Sequence, residues 1–415
     1  MIRSLRTGVS GLRSNQLRLD VIGNNIAGVN TAGFKRSRVL FQDALTQRIG
    51  TGGRLAGPQP AGRSHVGNGV SVSSVDQVWT QGNLDYTNVP NDLALAGDGF
   101  FIAQSARGNV LTRSGSFEFD ADGHLVTRGG LRVQGWRADA NGNVATGALQ
   151  DIRVDTSATS PPVRTDAVGV AGNLSAERPV GAAEPVTMST VIYDGTGVAH
   201  TLLVTVDKTA PGEWTVTGAS IAGDPDATPP TAATPLTATG APLAFDADGR
   251  LVTGGDVDLA GTFPDGSALA VDLDLSNVTQ FGGSTTASVQ TQNGAAAGEL
   301  VDYGFDQQGR LVLSFSNGLR RPVAQLALGM VGNPDGLDQV GDGFYSTTVA
   351  SGDLRIGRAG AEIAAGVISG ALESSNVDLA EEFTDMIVAQ RGYQANARVI
   401  TTSDELLQET VQLKR

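Results

Sequence analysis

The chain has 415 residues, 43 acidic and 29 basic side chains for a formal net charge of −14, three histidines and no cysteine. That length accommodates several domains with separate cores, and the missing thiols exclude a cysteine nucleophile, a thiolate metal centre and a disulfide framework. The acidic balance supplies no basic field to recruit nucleic acid or anionic lipid, so nucleic-acid binding is not expected, and without a long apolar run neither is membrane insertion. Glycine contributes 55 residues, close to twice the average share of about 7%, while aromatic side chains make up 5%. Many tight turns between short strands follow. The segment from Met1 to Gly8 lacks the apolar core of a cleaved secretory signal, and no run of about 20 apolar residues occurs.

In chain order, Leu5, Val9, Leu12, Leu19, Ile22 and Ile26 recur at steps of three, four or seven, which predicts one stripe on a helix face interrupted at Gln16 and Gly23. Residues 1–54 hold nine basic and two acidic side chains. The cluster Lys35-Arg36-Ser37-Arg38 lacks interleaved aromatics and is expected to face solvent or acidic groups, the start of the C-terminal helix being one available partner. Residues 50–70, with seven glycines and two prolines, are expected to form an extended linker.

Beyond the linker, alternation dominates. Val186, Met188, Thr190 and Ile192, an Asp194-Gly195 turn, and then Val198, His200, Leu202, Val204 and Val206 predict a hairpin. Pro161-Pro162 marks a boundary, and Pro225, Pro229, Pro230, Pro235 and Pro242 are expected to mark a long loop. The segment from Phe119 to Val126 recurs from Phe245 to Val252 and, more loosely, from Phe305 to Val312. Each repeat predicts strand, Asx turn and strand, with glycine supplying the positive φ. The oxygens needed to complete a calcium loop are missing. Gly97-Asp98-Gly99-Phe100-Phe101 is echoed by Gly341-Asp342-Gly343-Phe344-Tyr345, which predicts two related hairpins in one β domain that the chain leaves and re-enters.

The C-terminal stretch Leu379, Phe383, Met386, Gln390, Tyr393, Ala397, Ile400, Asp404, Leu407 and Val411 alternates steps of four and three, a heptad seam with two polar positions. Asn376 and Asp378 offer caps for a helix starting between 375 and 378. Residues 371–415 hold eight acidic and four basic side chains, the complement of the N-terminal end. The expected fold class is multidomain α+β: paired, coiled-coil-like terminal helices with mainly antiparallel β domains, one inserted in another. The limits read as an N-terminal helical segment 1–49, a linker 50–70, a β domain in two parts at 71–160 and 293–365, an inserted β domain 161–292, and a C-terminal helical segment 366–415.

Chemistry is not legible. No Gly-x-Ser-x-Gly elbow or phosphate-binding loop occurs. His200 reads as a half-buried strand residue, and His65 and His124 as solvated. No enzyme activity, cofactor or metal is expected.

The run Asn24-Asn25-Ile26, Asn30-Thr31 and Gly33-Phe34-Lys35 resembles the N-terminal signature of the flagellar axial proteins of rod and hook, departing at Gly28, where the family commonly has Asn. Asn376-Val377-Asp378 and the run through Gln390-Arg391 resemble the C-terminal signature of the same family, on its hook side. The resemblance covers the outer thirds of the chain and is weak over 165–290. It implies a subunit of a helical homopolymer in the extracellular flagellum, a curved flexible tube carrying torque from rod to filament. Export without a cleaved signal by the flagellar type III apparatus, and contacts with rod, hook cap and hook-filament junction proteins, are implied too. Polymer contacts are expected at Leu5, Leu12, Leu19, Ile22 and Ile26, and at Phe383, Met386, Tyr393, Ile400 and Leu407. Two alternatives stand beside this reading: a distal rod subunit, and a secreted β-rich enzyme or carbohydrate-binding protein, which would require a deep polar pocket.

Overall fold

The computed structural model describes residues 2–43, 47–48, 65–66, 69–139, 142–155, 157–223 and 232–412. Most of the expected linker, and Pro225, Pro229 and Pro230, lie outside the described residues. The fold is mostly β with one helix at each end, α1 (Ile2–Ala27) and α2 (Leu379–Gln412). The chain divides into two compact units. The first comprises residues 1–155, 303–312 and 322–415, the second 156–302 and 313–321.

In the first unit, α1 ends at Gly28, whose N–H still reaches Asn24 O at 2.9 Å. After a short turn the strand Ser37–Asp43 pairs antiparallel with Val70–Gln77. The two ends of the chain then zip together: Leu84–Tyr86 pairs with Ala371–Glu373, and Leu93–Ala96 with Gly366–Ser369. The main sheet places Phe100–Ser105 between Arg132–Arg137 and Gly108–Thr112, with Phe344–Ser346 beside the latter. Phe100, Ile102, Leu111, Trp136 and Tyr345 form its core. One expectation is corrected here. Gly341 to Gly343 turns a hairpin, but Gly97 to Gly99 carries the chain from one sheet to another, because Leu93–Ala96 pairs with 366–369 while Phe100–Ser105 pairs with 108–112.

The second unit is a ten-stranded sheet, antiparallel except where Ala167–Asn173 runs parallel to Ala268–Thr279. Trp214, Leu202, Val204, Ile192 and Leu273 fill its core. The hairpin of Val186–Tyr193 and Ala199–Ala210 has the register Ile192↔His200, as alternation predicts. Pro235 differs from expectation: it lies in the strand Thr234–Gly240 rather than in a loop, paired with Ser220. Asp256↔Asp274 and Asp258↔Asp272 face each other across two strands, and burial, followed by the repulsion of its neighbours, raises the Asp272 carboxyl.

The three repeats fold alike. Asp120 Oδ1 accepts the N–H of Asp122 and His124, Asp246 Oδ1 those of Asp248 and Arg250, and Asp306 Oδ1 those of Gln308 and Arg310. The glycine one position before the second donor has φ between +69° and +80°. His124, expected in solvent, is half-buried beside this turn with its Nδ1 enclosed.

Asp194 repeats the device in the second unit. Its Oδ1 accepts from Thr196 N, Thr196 Oγ1 and Val198 N, and Oδ2 lies 3.1 Å from His200 Nε2. Burial alone would raise this carboxyl, but the bonds from His200, Thr196 and Val198 outweigh it and hold the group well below the usual carboxylate range. A depressed carboxyl stabilises the fold fully above its unfolded value near about 4 and loses that contribution as pH falls through the folded value. Asp194→Asn is therefore expected to cost the second unit about 2 kcal/mol at neutral pH, with the deficit shrinking below about pH 4. Amide exchange along Val186–Tyr193 and Ala199–Ala210 reads both; an equal deficit at pH 7 and pH 3 contradicts the linkage.

Candidate assembly interface

The junction where both chain ends meet the first unit is built on a buried carboxylate. Glu373 ends the strand Ala371–Glu373 with its side chain fully enclosed. Its Oε1 accepts from Lys35 Nζ at 2.6 Å and Gly82 N at 3.0 Å, and Arg113 Nη1 lies 3.4 Å from Oε2. Lys35 also donates to Thr80 O at 2.8 Å. Burial pushes the Lys35 ammonium and the Arg113 guanidinium below their ordinary values, against the opposing pull of Glu373.

The neighbouring signature residues hold the backbone around this cluster. Gly33, at φ +71°, donates to Glu373 O at 2.7 Å, and a Cβ there would stand 2.6 Å from Ser114 N. The Phe34 ring lies over Gly28, where a Cβ would come within 2.6 Å of it, so the glycine that departs from the family pattern makes room for this ring. Asn25 exchanges two hydrogen bonds of 2.8 Å with the backbone of Ser37 and donates to Glu382 Oε1 at 3.1 Å. Arg36 N donates to Asn376 Oδ1, and Asn376 Nδ2 to Val78 O and Thr80 O. The Arg36 guanidinium bonds Glu381 at 2.7 Å, so this cluster does face the acidic start of α2. Asp378 Oδ1 caps α2 by accepting from Ala380 N at 2.8 Å. Gln390 and Arg391 are exposed, Val377 is half-buried, and Asn24, Asn30 and Thr31 are exposed.

From this junction α1 and α2 run antiparallel and in contact. Asn25 meets Glu382, Arg18 meets Asp385 at 3.1 Å, and Ser4 Oγ lies 3.3 Å from Ser403 Oγ. Between these points a Cβ on Gly392 would be 2.9 Å from Asn15 Oδ1, one on Gly11 2.6 Å from Asn396 Nδ2, and one on Gly8 2.9 Å from Ile400 Cγ1. The contact stripes are thus Ser4, Gly8, Gly11, Asn15, Arg18 and Asn25 on α1, and Glu382, Ala389, Gly392, Asn396, Ile400 and Ser403 on α2. Both keep the three-and-four rhythm of a heptad, mostly with small and polar side chains, Ile400 being the apolar exception.

Most of the apolar stripe residues lie outside this contact. Leu5, Leu12, Leu19 and Ile26 lie one position round from the contact stripe and are half-buried, whereas Ile22 falls on the stripe between Arg18 and Asn25 and is fully buried. On α2, Met386, Ile400 and Leu407 are half-buried, while Phe383 is 51% and Tyr393 39% exposed. At 100° per residue, Leu379, Phe383 and Ile387 form one exposed apolar flank of α2, and Val388, Val399 and Leu406 a second, with Thr384, Arg391 and Arg398 between them. Behind α1, an open cleft of about 510 Å³ is lined by Leu5, Val9, Leu17, Val70 and Val72 with Arg6 and Arg13. Each helix therefore keeps apolar surface in water after packing on its partner.

Paired ends with uncovered apolar flanks, fixed to a β unit, define an assembly subunit of the flagellar rod-and-hook class. Residues 5–35 match a family profile described as "Flagella basal body rod protein", 94–170 the "Flagellar hook protein FlgE/F/G D1 domain", 177–295 the "Flagellar basal body protein FlaE D2 domain", and 368–413 the "Flagellar basal body rod FlgEFG protein C-terminal". Within that class, the chain is 37% identical to the flagellar hook protein FlgE of Borreliella burgdorferi and 36% to that of Treponema pallidum, over the whole of all three chains. It is 33% identical to the FlgE of Salmonella typhimurium, over 99% of this chain and 100% of that one. The solved Helicobacter pylori flagellar hook protein FlgE2 aligns with 70% of this chain and 100% of its own at 15% identity and a TM-score of 0.47. The chain belongs to the flagellar hook protein family.

Proposed function

We propose that this chain is the repeating subunit of the bacterial flagellar hook, a curved and flexible extracellular tube that transmits torque from rod to filament. The observation that carries the reading is the apolar surface left open on both terminal helices after they have packed on each other. In this proposal α1 and α2 act as a coiled-coil-like pair whose outer flanks, with Leu5, Leu12, Leu19 and Ile26 on one helix and Phe383 and Tyr393 on the other, are covered by neighbouring copies. Ile22, Met386, Ile400 and Leu407 then support the pair from within. Residues 161–292 act as a β domain inserted in the one built from 71–160 and 293–365. Rod, hook cap, hook-filament junction proteins and the type III export apparatus are the further partners, and the chain has no catalytic role.

Electron microscopy of the purified chain under polymerising salt tests the reading. Curved tubes are expected. Straight tubes would move the assignment to the distal rod, and the absence of any polymer would overturn it.

A further inference from the structure

We propose that the junction around Glu373 is a completion latch: the N-terminal segment 25–37 docks only when residues 373–382 are in place, so α1 is clamped last, by the far end of its own chain. Apart from the bond of Lys35 to Thr80 O, the side-chain bonds between 25–37 and more distant described parts of the chain converge on that short stretch. Lys35 bonds Glu373, a partner 338 positions further along, Arg36 N bonds Asn376, the Arg36 guanidinium bonds Glu381, and Asn25 bonds Glu382. Gly33 N adds a backbone bond to Glu373 O. The dependence runs both ways, because 373–382 rests on the same groups. Without Lys35, Glu373 would be a buried carboxylate held by Gly82 N and a 3.4 Å contact with Arg113. Without Glu373, Lys35 would be a buried cation bonded to a single carbonyl, Thr80 O. Lys35 alone would be an unpaired buried cation, and Glu373 alone would lose its shorter ion pair and keep the longer one to Arg113, so each is costlier to bury without the other. Docking of the two ends is then one cooperative event.

The consequence, which rests on the assembly reading above, is a check on completeness. A chain that ends before Glu373 leaves α1 unclamped and its apolar flank out of position.

The latch is read in the monomer, so it fails or stands apart from assembly. Amide exchange is followed in full-length protein over 25–37, over 371–382, over the strands Phe100–Ser105 and Gly108–Thr112, and over Ala199–Ala210. Glu373→Gln keeps the shape of the side chain and removes its charge. It is expected to raise exchange at least tenfold in both 25–37 and 371–382, with the two regions moving together and the three strands unchanged. The milder Asn376→Ala, which removes the acceptor of Arg36 N, is expected to give the same pattern with a several-fold change. Faster exchange confined to 371–382 in either variant overturns the latch, because it means that the N-terminal segment docks on its own. Loss of protection in the strands under both variants overturns it too, because the cluster is then ordinary core.

Discussion

Phe383→Asp is expected to abolish polymerisation and to leave the subunit folded. The reason is where the ring sits: at 51% exposure on the outer flank of α2, it does little for the isolated chain. Burial of such a side chain contributes about 1.5–3 kcal/mol, and enclosing a carboxylate in its place costs several kcal/mol more unless a partner is found. A helical polymer repeats that penalty in every subunit. Within the monomer the change is expected to be mild, because position 383 is half open to water, where repulsion from Glu381, Glu382 and Asp385 is screened. Thr384→Asp is the control. It puts the same charge one residue later, 100° round the helix and between the two apolar flanks, and polymerisation should survive it. Sedimentation under polymerising salt and circular dichroism of the monomer give the two readouts. If Phe383→Asp polymerises as the parent does, the flank is not an assembly surface; if it unfolds the monomer, the flank is part of the subunit's own core.

The sequence was legible where chemistry is local. An Asp three residues before a Gly closes the same turn at 120, 246 and 306, because all the bonding partners lie within five residues. Asp194 and Asp139 use it as well, Asp139 Oδ1 accepting from Asn143 N at 2.8 Å, although neither belongs to the eight-residue repeat. The shorter Asp-x-x-Gly pattern would have found them. The cap at Asp378 and the hairpin from Val186 were readable for the same reason. The junction was readable only by half: the signature marks Asn25 and Lys35, but nothing in local periodicity connects them to Glu382 and Glu373. The helix contact was missed for a different cause. Periodicity analysis follows the largest apolar side chains, whereas two backbones approach most closely over the smallest. Gly8 and Gly11 on one helix and Gly392 on the other, rather than the leucines, lie where the two faces meet.

Gly11→Leu should separate α1 from α2 even though it makes α1 a better helix. Two opposed terms decide the outcome. Replacing an interior helical glycine by leucine favours the helix by about 0.8 kcal/mol, whereas inserting three extra carbons beyond Cβ into a filled contact costs about 1–3 kcal/mol. A Cβ at position 11 already falls 2.6–2.8 Å from the Asn396 amide, a side chain that can swing aside, so Gly11→Ala is expected to be tolerated. Leucine cannot be accommodated that way, since on either side of Asn396 the contact is closed by Ile400 against Gly8 and by Gly392 against Asn15. The native chain has no cysteine, so a reporter can be added without background. Ser4→Cys with Ser403→Cys replaces two hydroxyls whose oxygens are 3.3 Å apart and should oxidise readily to a disulfide in the parent. Gly11→Leu is expected to slow that oxidation at least tenfold and to raise the helix content of a peptide spanning 1–30, while Gly11→Ala leaves the rate within about twofold of the parent. Unchanged oxidation in Gly11→Leu would mean that the helices do not need the glycine contact to stay together.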